Sequence, residues 1–266
     1  MGKPKPKPEI RSEHNNLMGS LVQRVLEDYS NNSMWEHPLG LDSRLKTLSK
    51  DYLDTLKENY SLTHESPSLN EILKEALPGV MTFPKTARAH GWLVPGLKSE
   101  VKIVDSLRGI SVGARIDFIV PDGDSAILLD GKNTKYRMKY TDPDQLRFYQ
   151  LIYELSTGKT PTKLGLVWFR FPYDEASGET GVDWVPCTQR DIQGLADRIK
   201  KTYISMVRGE FSPTPVPSKC KWCDYEPVCQ ERQAQRKANA VKRNIKPKKE
   251  VHLPQLGKGW FTPGEE

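Results

Sequence analysis

The chain has 266 residues, with 40 Lys+Arg against 34 Asp+Glu, a formal net charge of +6 and a pI near 9.0. At 36% hydrophobic residues it can bury the core of one elaborated domain or two small ones, which excludes both a stapled miniprotein and a disordered chain. Its longest near-apolar stretches, Ala126–Leu129 and Leu164–Phe169, are strand-sized and far short of the roughly 20 residues of a membrane helix, so a soluble, non-secreted, cytoplasmic protein is expected.

The first segment, residues 1–11, is a Pro/Lys leader with four basic residues and one acid. Residues 12–29 place Leu17, Leu21, Val25 and Tyr29 at helical spacing and predict an amphipathic helix. Two more follow over 42–59 (Leu45, Leu48, Leu53, Leu56) and 68–77 (Leu69, Ile72, Leu73, Ala76), and Pro78–Gly79 is expected to end this helical block. A Pro- and Gly-rich loop then leads to about residue 97. Short β-rich runs come next, over 100–106, 111–120 and 125–131, joined by Arg108–Gly109 and by the turn sequence Pro121-Asp122-Gly123-Asp124. Residues 143–156 return to helix, 164–171 and 181–187 read as a second strand pair, and 189–208 is a long amphipathic helix.

Charge is unevenly placed along this order. Residues 232–249 carry eight basic residues and no acid, which leaves the body from 12 to 231 at −3. Basic tails attract polyanions regardless of sequence, nucleic acid above all, although a tail can also do no more than solvate a chain end. Three of the four cysteines, Cys220, Cys223 and Cys229, fall within ten residues, a spacing that favours a metal centre over disulfides in a non-secreted chain. Thiolates so spaced suit an iron–sulfur cluster or Zn²⁺, with Cys187, a histidine such as His14, or nothing as the fourth ligand, and Cys187 is otherwise a packed strand-end residue.

The strands carry the chemistry. With the turn centred between Asp122 and Gly123, Asp117 would face Leu128, and Asp130 would be its diagonal neighbour. Side chains alternate along a strand, so Arg115, Asp117, Leu128, Asp130 and Lys132 would share one sheet face. Two carboxylates and an ammonium at a strand end suit Mg²⁺ and a phosphate transition state. The same residues could equally form a salt bridge, with Arg115 opposite Asp130. On the following helix Gln145 and Tyr149, four apart, share a face. Beside them Lys132, Lys135, Arg137 and Lys139 interleave with Tyr136 and Tyr140, either as a lining for single-stranded DNA or as a solvated loop.

Taken in order, Gly113-Ala-Arg-Ile-Asp117, Leu128-Leu-Asp130-Gly-Lys132 and Gln145-Leu-Arg-Phe-Tyr149 resemble the G-x-x-x-D, (D/E)-x-K and Q-x-x-x-Y series of the PD-(D/E)xK nucleases. The likeness is narrower to the RecB-like exonuclease branch, which includes CRISPR-associated and phage-encoded exonucleases. It implies an α/β, restriction-endonuclease-like core with a mixed central sheet flanked by helices, an N-terminal helical block whose residues 31–95 would arch over the site, and a C-terminal cysteine-bound cluster segment. In these terms the chain divides into a basic leader (1–11), a helical part (12–97), a nuclease core (98–212), a cysteine segment (213–231) and a basic tail (232–266). The resemblance implies Mg²⁺ or Mn²⁺ on Asp117 and Asp130, helped by Glu100 and the Gly131 carbonyl. Lys132 would position the water, and Gln145 and Tyr149 would orient Lys132 or contact DNA. It also implies a [4Fe-4S] cluster on Cys220, Cys223 and Cys229, with Zn²⁺ as the alternative. One departure stands out: Gly19-Ser-Leu-Val-Gln23 has glutamine where many relatives carry a metal-site histidine. The expected activity is exonucleolytic hydrolysis of DNA with free ends or single-stranded regions, in recombination, repair or replication, alongside protein partners of such a complex. The alternatives are a structure-selective endonuclease and a non-catalytic DNA-binding scaffold.

Overall fold

The structure is a computed structural model that describes residues 13–134, 136, 137, 142–210, 212–220, 223 and 225–244. These fall into two compact units, one ending at Glu210 and one from Phe211 onward.

The larger unit opens with three helices, α1 (His14–Asn31), α2 (Leu41–Leu56) and α3 (Leu69–Ala89). The third overturns the expectation that Pro78–Gly79 ends the helical block: α3 runs through Pro78 and Pro84. A proline inside a helix costs about 3 kcal/mol. Against that, Ile72, Ala76, Val80, Phe83 and Ala87 recur at helical spacing and are all buried, and each large apolar side chain so buried contributes roughly 1.5–3 kcal/mol. A Ser68–Glu71 capping box starts the helix. Thr82 Oγ1 donates to the Pro78 carbonyl at 2.7 Å.

A five-stranded mixed sheet follows in the order β1 (Lys98–Leu107), β2 (Ile110–Asp122), β3 (Ser125–Lys132), β4 (Lys163–Trp168) and β5 (Val182–Trp184). The β1–β2 turn puts Arg108 and Gly109 at φ 51° and 85°, the double positive φ of a two-residue hairpin loop whose twist matches the strands. The β2–β3 turn is centred between Gly123 and Asp124, one residue later than expected, so that Asp122 pairs with Ser125 and Ile119 faces Leu128. This moves every partner by two positions and therefore leaves the paired residues 118–122 and 125–129 on their expected faces. Helix α4 (Asp144–Thr157) carries the chain from β3 to β4, which pair in parallel, and α5 (Gln189–Val207) follows β5.

Helices α1–α3 pack on one face of the sheet around Phe83, Phe118, Leu129 and Phe169. The other face packs on α4, with Leu128, Leu164, Leu166 and Trp168 against Leu146, Tyr149 and Tyr153, and α5 extends that layer. Among the described residues no helix is long and apolar enough to cross a membrane.

The smaller unit contains α6 (Pro217–Cys220), a short turn and α7 (Gln230–Asn244). Here Glu226 Oε1 accepts from Arg232 Nε at 3.1 Å and from Arg236 Nη2 at 2.6 Å. Two of the eight basic residues assigned to a tail are thus tied into local structure. The leader, and the tail beyond Asn244, lie outside the described residues.

Candidate functional site

The site is built where β2 and β3 meet the first turns of α4. Asp117 and Asp130 are 8% and 1% exposed, on neighbouring strands at the ends of their ladder. Alternation breaks at Asp117: Ile116, Asp117 and Phe118 are all buried, with Ile116 packed in the α4 layer and Phe118 in the α1–α3 layer. Across on β1, Glu100 takes a left-handed φ of 56°, and the register passes from Ser99↔Phe118 directly to Val101↔Ile116. Ser99 Oγ donates to the Asp117 carbonyl at 2.7 Å and secures the break.

The polar groups close into a ring whose direction is forced. A lysine ammonium can only donate, so Lys132 Nζ gives its hydrogen to Gln145 Oε1 at 2.9 Å. That leaves Gln145 Nε2 to donate to the Tyr149 hydroxyl oxygen at 3.2 Å. The Tyr149 hydrogen is then shared between Asp117 Oδ1 at 3.1 Å and Asp130 Oδ1 at 3.4 Å. Lys132 Nζ closes the ring through an ion pair with Asp130 Oδ2 at 2.6 Å. The second oxygen of Asp117, Oδ2, accepts from the Gly131 N–H at 2.8 Å. The spacing Asp-x-Lys puts Asp130 and Lys132 on one side of β3, and Gln-x-x-x-Tyr does the same for one face of α4.

Burial dominates the electrostatics. It pushes Asp117 up from 3.8 to about 7, with the charges of Asp130 and then Glu100 adding to the rise, while the Gly131 N–H and Tyr149 oppose it. Asp130 is also raised by burial, against the pull of Lys132. Tyr149 is held firmly neutral by burial and by both carboxylates. Two desolvated carboxylates side by side resist double ionisation unless a cation joins them.

The donor set fits a hard divalent ion. Asp130 Oδ2 is buried and, apart from its electrostatic contact with Lys132, no directed hydrogen bond serves it. Among the described residues no three His, Cys, Asp or Glu side chains gather as a protein-only ligand set. For Mg²⁺ that is no obstacle, because it is ordinarily held by one or two carboxylates and completes its shell with water and substrate phosphate. For an iron–sulfur cluster or Zn²⁺ it is a misfit, because those centres take three or four protein ligands. Cys220 and Cys229 are half-buried and Cys223 is exposed, and they do not converge as such a set. Cys187 lies in the larger unit beside Thr188, its thiol pushed up by burial.

Several sequence expectations change here. The salt-bridge reading paired Arg115 with Asp130, whereas Arg115 meets Glu100 at 3.7 Å and Asp130 meets Lys132. Glu100 thus arrives beside Asp117 already paired, its carboxyl raised by burial with the charge of Glu27 on α1 adding to the rise. Gln23 is exposed on α1. Arg137 is not a free phosphate ligand: its Nη2 donates to Glu179 Oε1 at 2.6 Å and its guanidinium lies 4.4 Å from the Phe171 ring centre. Lys135, Lys139 and Tyr140 lie outside the described residues.

Sequence reasoning assigned Gly131 for its carbonyl and missed its N–H and its missing side chain. A Cβ there would stand 2.4 Å from Phe169 Cζ, so only glycine lets β3 pass the core aromatic and deliver its N–H to Asp117. The small residue between Asp130 and Lys132 was the available signal.

A family model described as the PD-(D/E)XK nuclease superfamily matches residues 2–230. Among solved structures the chain is similar to a protein named "Putative exonuclease" from Eubacterium rectale, with 17% identity, a TM-score of 0.45 and coverage of 84% of this chain and 77% of that one. It is also similar to SSO0001 (15% identity, TM-score 0.35, coverage 81% and 85%) and to VC1899 from Vibrio cholerae (14% identity, TM-score 0.26, coverage 74% and 57%). No curated protein matches.

Proposed function

We propose that this chain, which belongs to the PD-(D/E)XK nuclease superfamily, is a metal-dependent deoxyribonuclease that removes nucleotides from DNA ends, in the service of recombination, repair or replication. The observation that carries the reading is the closed ring of Lys132, Gln145, Tyr149, Asp117 and Asp130, which offers two buried carboxylates to a cation and one ammonium to a water.

Asp117 and Asp130 would hold Mg²⁺ or Mn²⁺, with the Gly131 carbonyl and Glu100 as further oxygen donors. Such an ion lowers the pKa of a bound water and offsets charge on the phosphate in the transition state. The rest is work for the chain's own groups. Lys132 Nζ would donate to the attacking water and keep the water's lone pair aimed at phosphorus; as the new P–O bond forms a backbone P–O bond breaks, the water's proton passing to solvent and the departing oxygen taking one from solvent. Gln145 fixes Lys132 by accepting one of its hydrogens. Tyr149, neutral throughout, donates to both carboxylates and eases their mutual repulsion.

The test uses purified full-length chain with Mg²⁺ or Mn²⁺ on end-labelled linear and closed circular DNA, beside Asp130→Ala and Lys132→Ala. Linear substrate degraded from its ends by the parent alone is expected. Absence of cleavage under every condition would refute the enzyme, and cutting of closed circles would replace the exonuclease with an endonuclease on the same site.

A further inference from the structure

Lys132 is the last residue of β3, and a strand's last residue on a long flexible side chain is poorly placed to hold a water by itself. Its carbonyl is secured by the Phe169 N–H at 3.1 Å. The next residue, Asn133, is secured by its side chain: Arg170 Nε donates to Asn133 Oδ1 at 2.8 Å. Adjacent residues leaving β4 therefore clamp adjacent residues leaving β3, just past the Lys132↔Trp168 pair.

Arg170 is itself held from elsewhere. Its side chain is 12% exposed, and Nη2 reaches Glu75 Oε1 on α3 at 3.5 Å and Met18 Sδ on α1 at 3.4 Å. Helix α3 comes so close that a Cβ on Gly79 would stand 3.2 Å from Asn133 Oδ1. One guanidinium thus ties the helical layer to the residue that follows Lys132.

The amide carries a second clue. A guanidinium nitrogen only donates, so Oδ1 must face Arg170 and Nδ2 must point away, and Nδ2 is buried with no hydrogen-bond partner. For Arg170 alone an aspartate would be the better partner.

We propose that Arg170 is a positioning residue for Lys132, acting through the side-chain oxygen of Asn133. The inference rests on the nuclease reading for its catalytic consequence, whereas the brace itself is testable without activity. In single-turnover cleavage with saturating full-length enzyme and Mg²⁺, Arg170→Met and Asn133→Leu should lower the rate roughly 10–100-fold. DNA affinity measured by fluorescence anisotropy in Ca²⁺ should stay within about twofold of the parent. Asn133→Asp keeps the acceptor and should hold the rate within about threefold of the parent. Hydrogen exchange of the metal-free chain over residues 129–134 should accelerate in Arg170→Met and not in Asn133→Asp. Parent-like cleavage by Arg170→Met, a loss that instead tracks DNA affinity, or Asn133→Asp as impaired as Asn133→Leu would overturn the proposal. If the parent itself does not cleave, the nuclease reading fails separately, and unchanged exchange in Arg170→Met would still refute the brace.

Discussion

Replacing Asp117 by asparagine should abolish cleavage and at the same time make the metal-free protein more stable. The carboxyl has an ordinary value of 3.8 and is pushed to about 7 in the fold, chiefly by burial and then by Asp130. Between those values the native state binds more protons than the unfolded state, so stability is full below about pH 4 and declines as pH rises towards 7. A rise from 3.8 to about 7 corresponds to roughly 4 kcal/mol lost from the metal-free parent at neutral pH. An asparagine is not subject to this loss. Its oxygen can still accept from the Gly131 N–H, and its amide can donate to the Tyr149 oxygen.

We therefore expect Asp117→Asn, in EDTA at pH 7.5, to be about 2–4 kcal/mol more stable than the parent, or roughly 5–10 °C higher in Tm for a domain of this size. Calorimetry from pH 4.5 to 8 checks the sign. The variant-minus-parent difference should be smallest at pH 4.5 and grow with pH. Taking the difference removes Glu179 and Asp191, whose lowered pKa values favour the fold at higher pH. Mg²⁺ should raise the Tm of the parent and leave the variant nearly unmoved, since only the parent offers the ion both carboxylates. A difference that is flat with pH, or a variant less stable than the metal-free parent at pH 7.5, would refute the claim that burial raises Asp117.

Gly131→Ala should cost about 1–3 kcal/mol by overpacking against Phe169, measured by urea unfolding, and adding Phe169→Leu should recover part of it because the clash is with that ring. Gln145→Leu strips the acceptor from Lys132 and the donor from Tyr149, so single-turnover cleavage should fall roughly 10–100-fold with DNA affinity in Ca²⁺ unchanged. Arg137→Gln should leave the salt dependence of DNA binding as it is in the parent, because Glu179 already holds that guanidinium; a slope reduced by about one would instead show a phosphate contact.

How far the sequence could be read follows from which interactions are local. Strand positions, the Asp-x-Lys side of β3 and the Gln-x-x-x-Tyr face of α4 depend on periodicity alone and emerged in place. The β2–β3 register was displaced by two residues without harm, because an even shift preserves the face, and the face is what brings Asp117 and Asp130 together. The partners of individual charges were illegible. Arg137 is tied to Glu179, 42 positions later, and Arg170 to Glu75, 95 positions earlier, and a basic residue beside a nuclease motif looks the same whether a phosphate or a distant carboxylate awaits it. Pro78 misled for the opposite reason: a local helix-breaking rule was outweighed by the burial of α3 against α1, α2 and the sheet.

The same contrast bears on what holds the site together. Every member of the Lys132–Gln145–Tyr149–Asp ring comes from β2, β3 or α4, and no side chain of α1–α3 belongs to it. Yet β3 can pass Phe169 only at Gly131, and Phe169 packs edge-on against Phe83 of α3. A cavity cut in the helical layer, as by Phe83→Ala, would let Phe169 tilt into the vacated space, away from β3, and let Gly131 and its N–H shift from Asp117. With a hydrogen bond to a carboxylate weakened by that movement, Asp117 should rise further. The metal requirement for half-maximal cleavage should then rise severalfold in Phe83→Ala, with the DNA affinity in Ca²⁺ unchanged. A variant that loses only thermal stability, at an unchanged metal requirement, would show that the helical layer supports the fold and not the carboxylates.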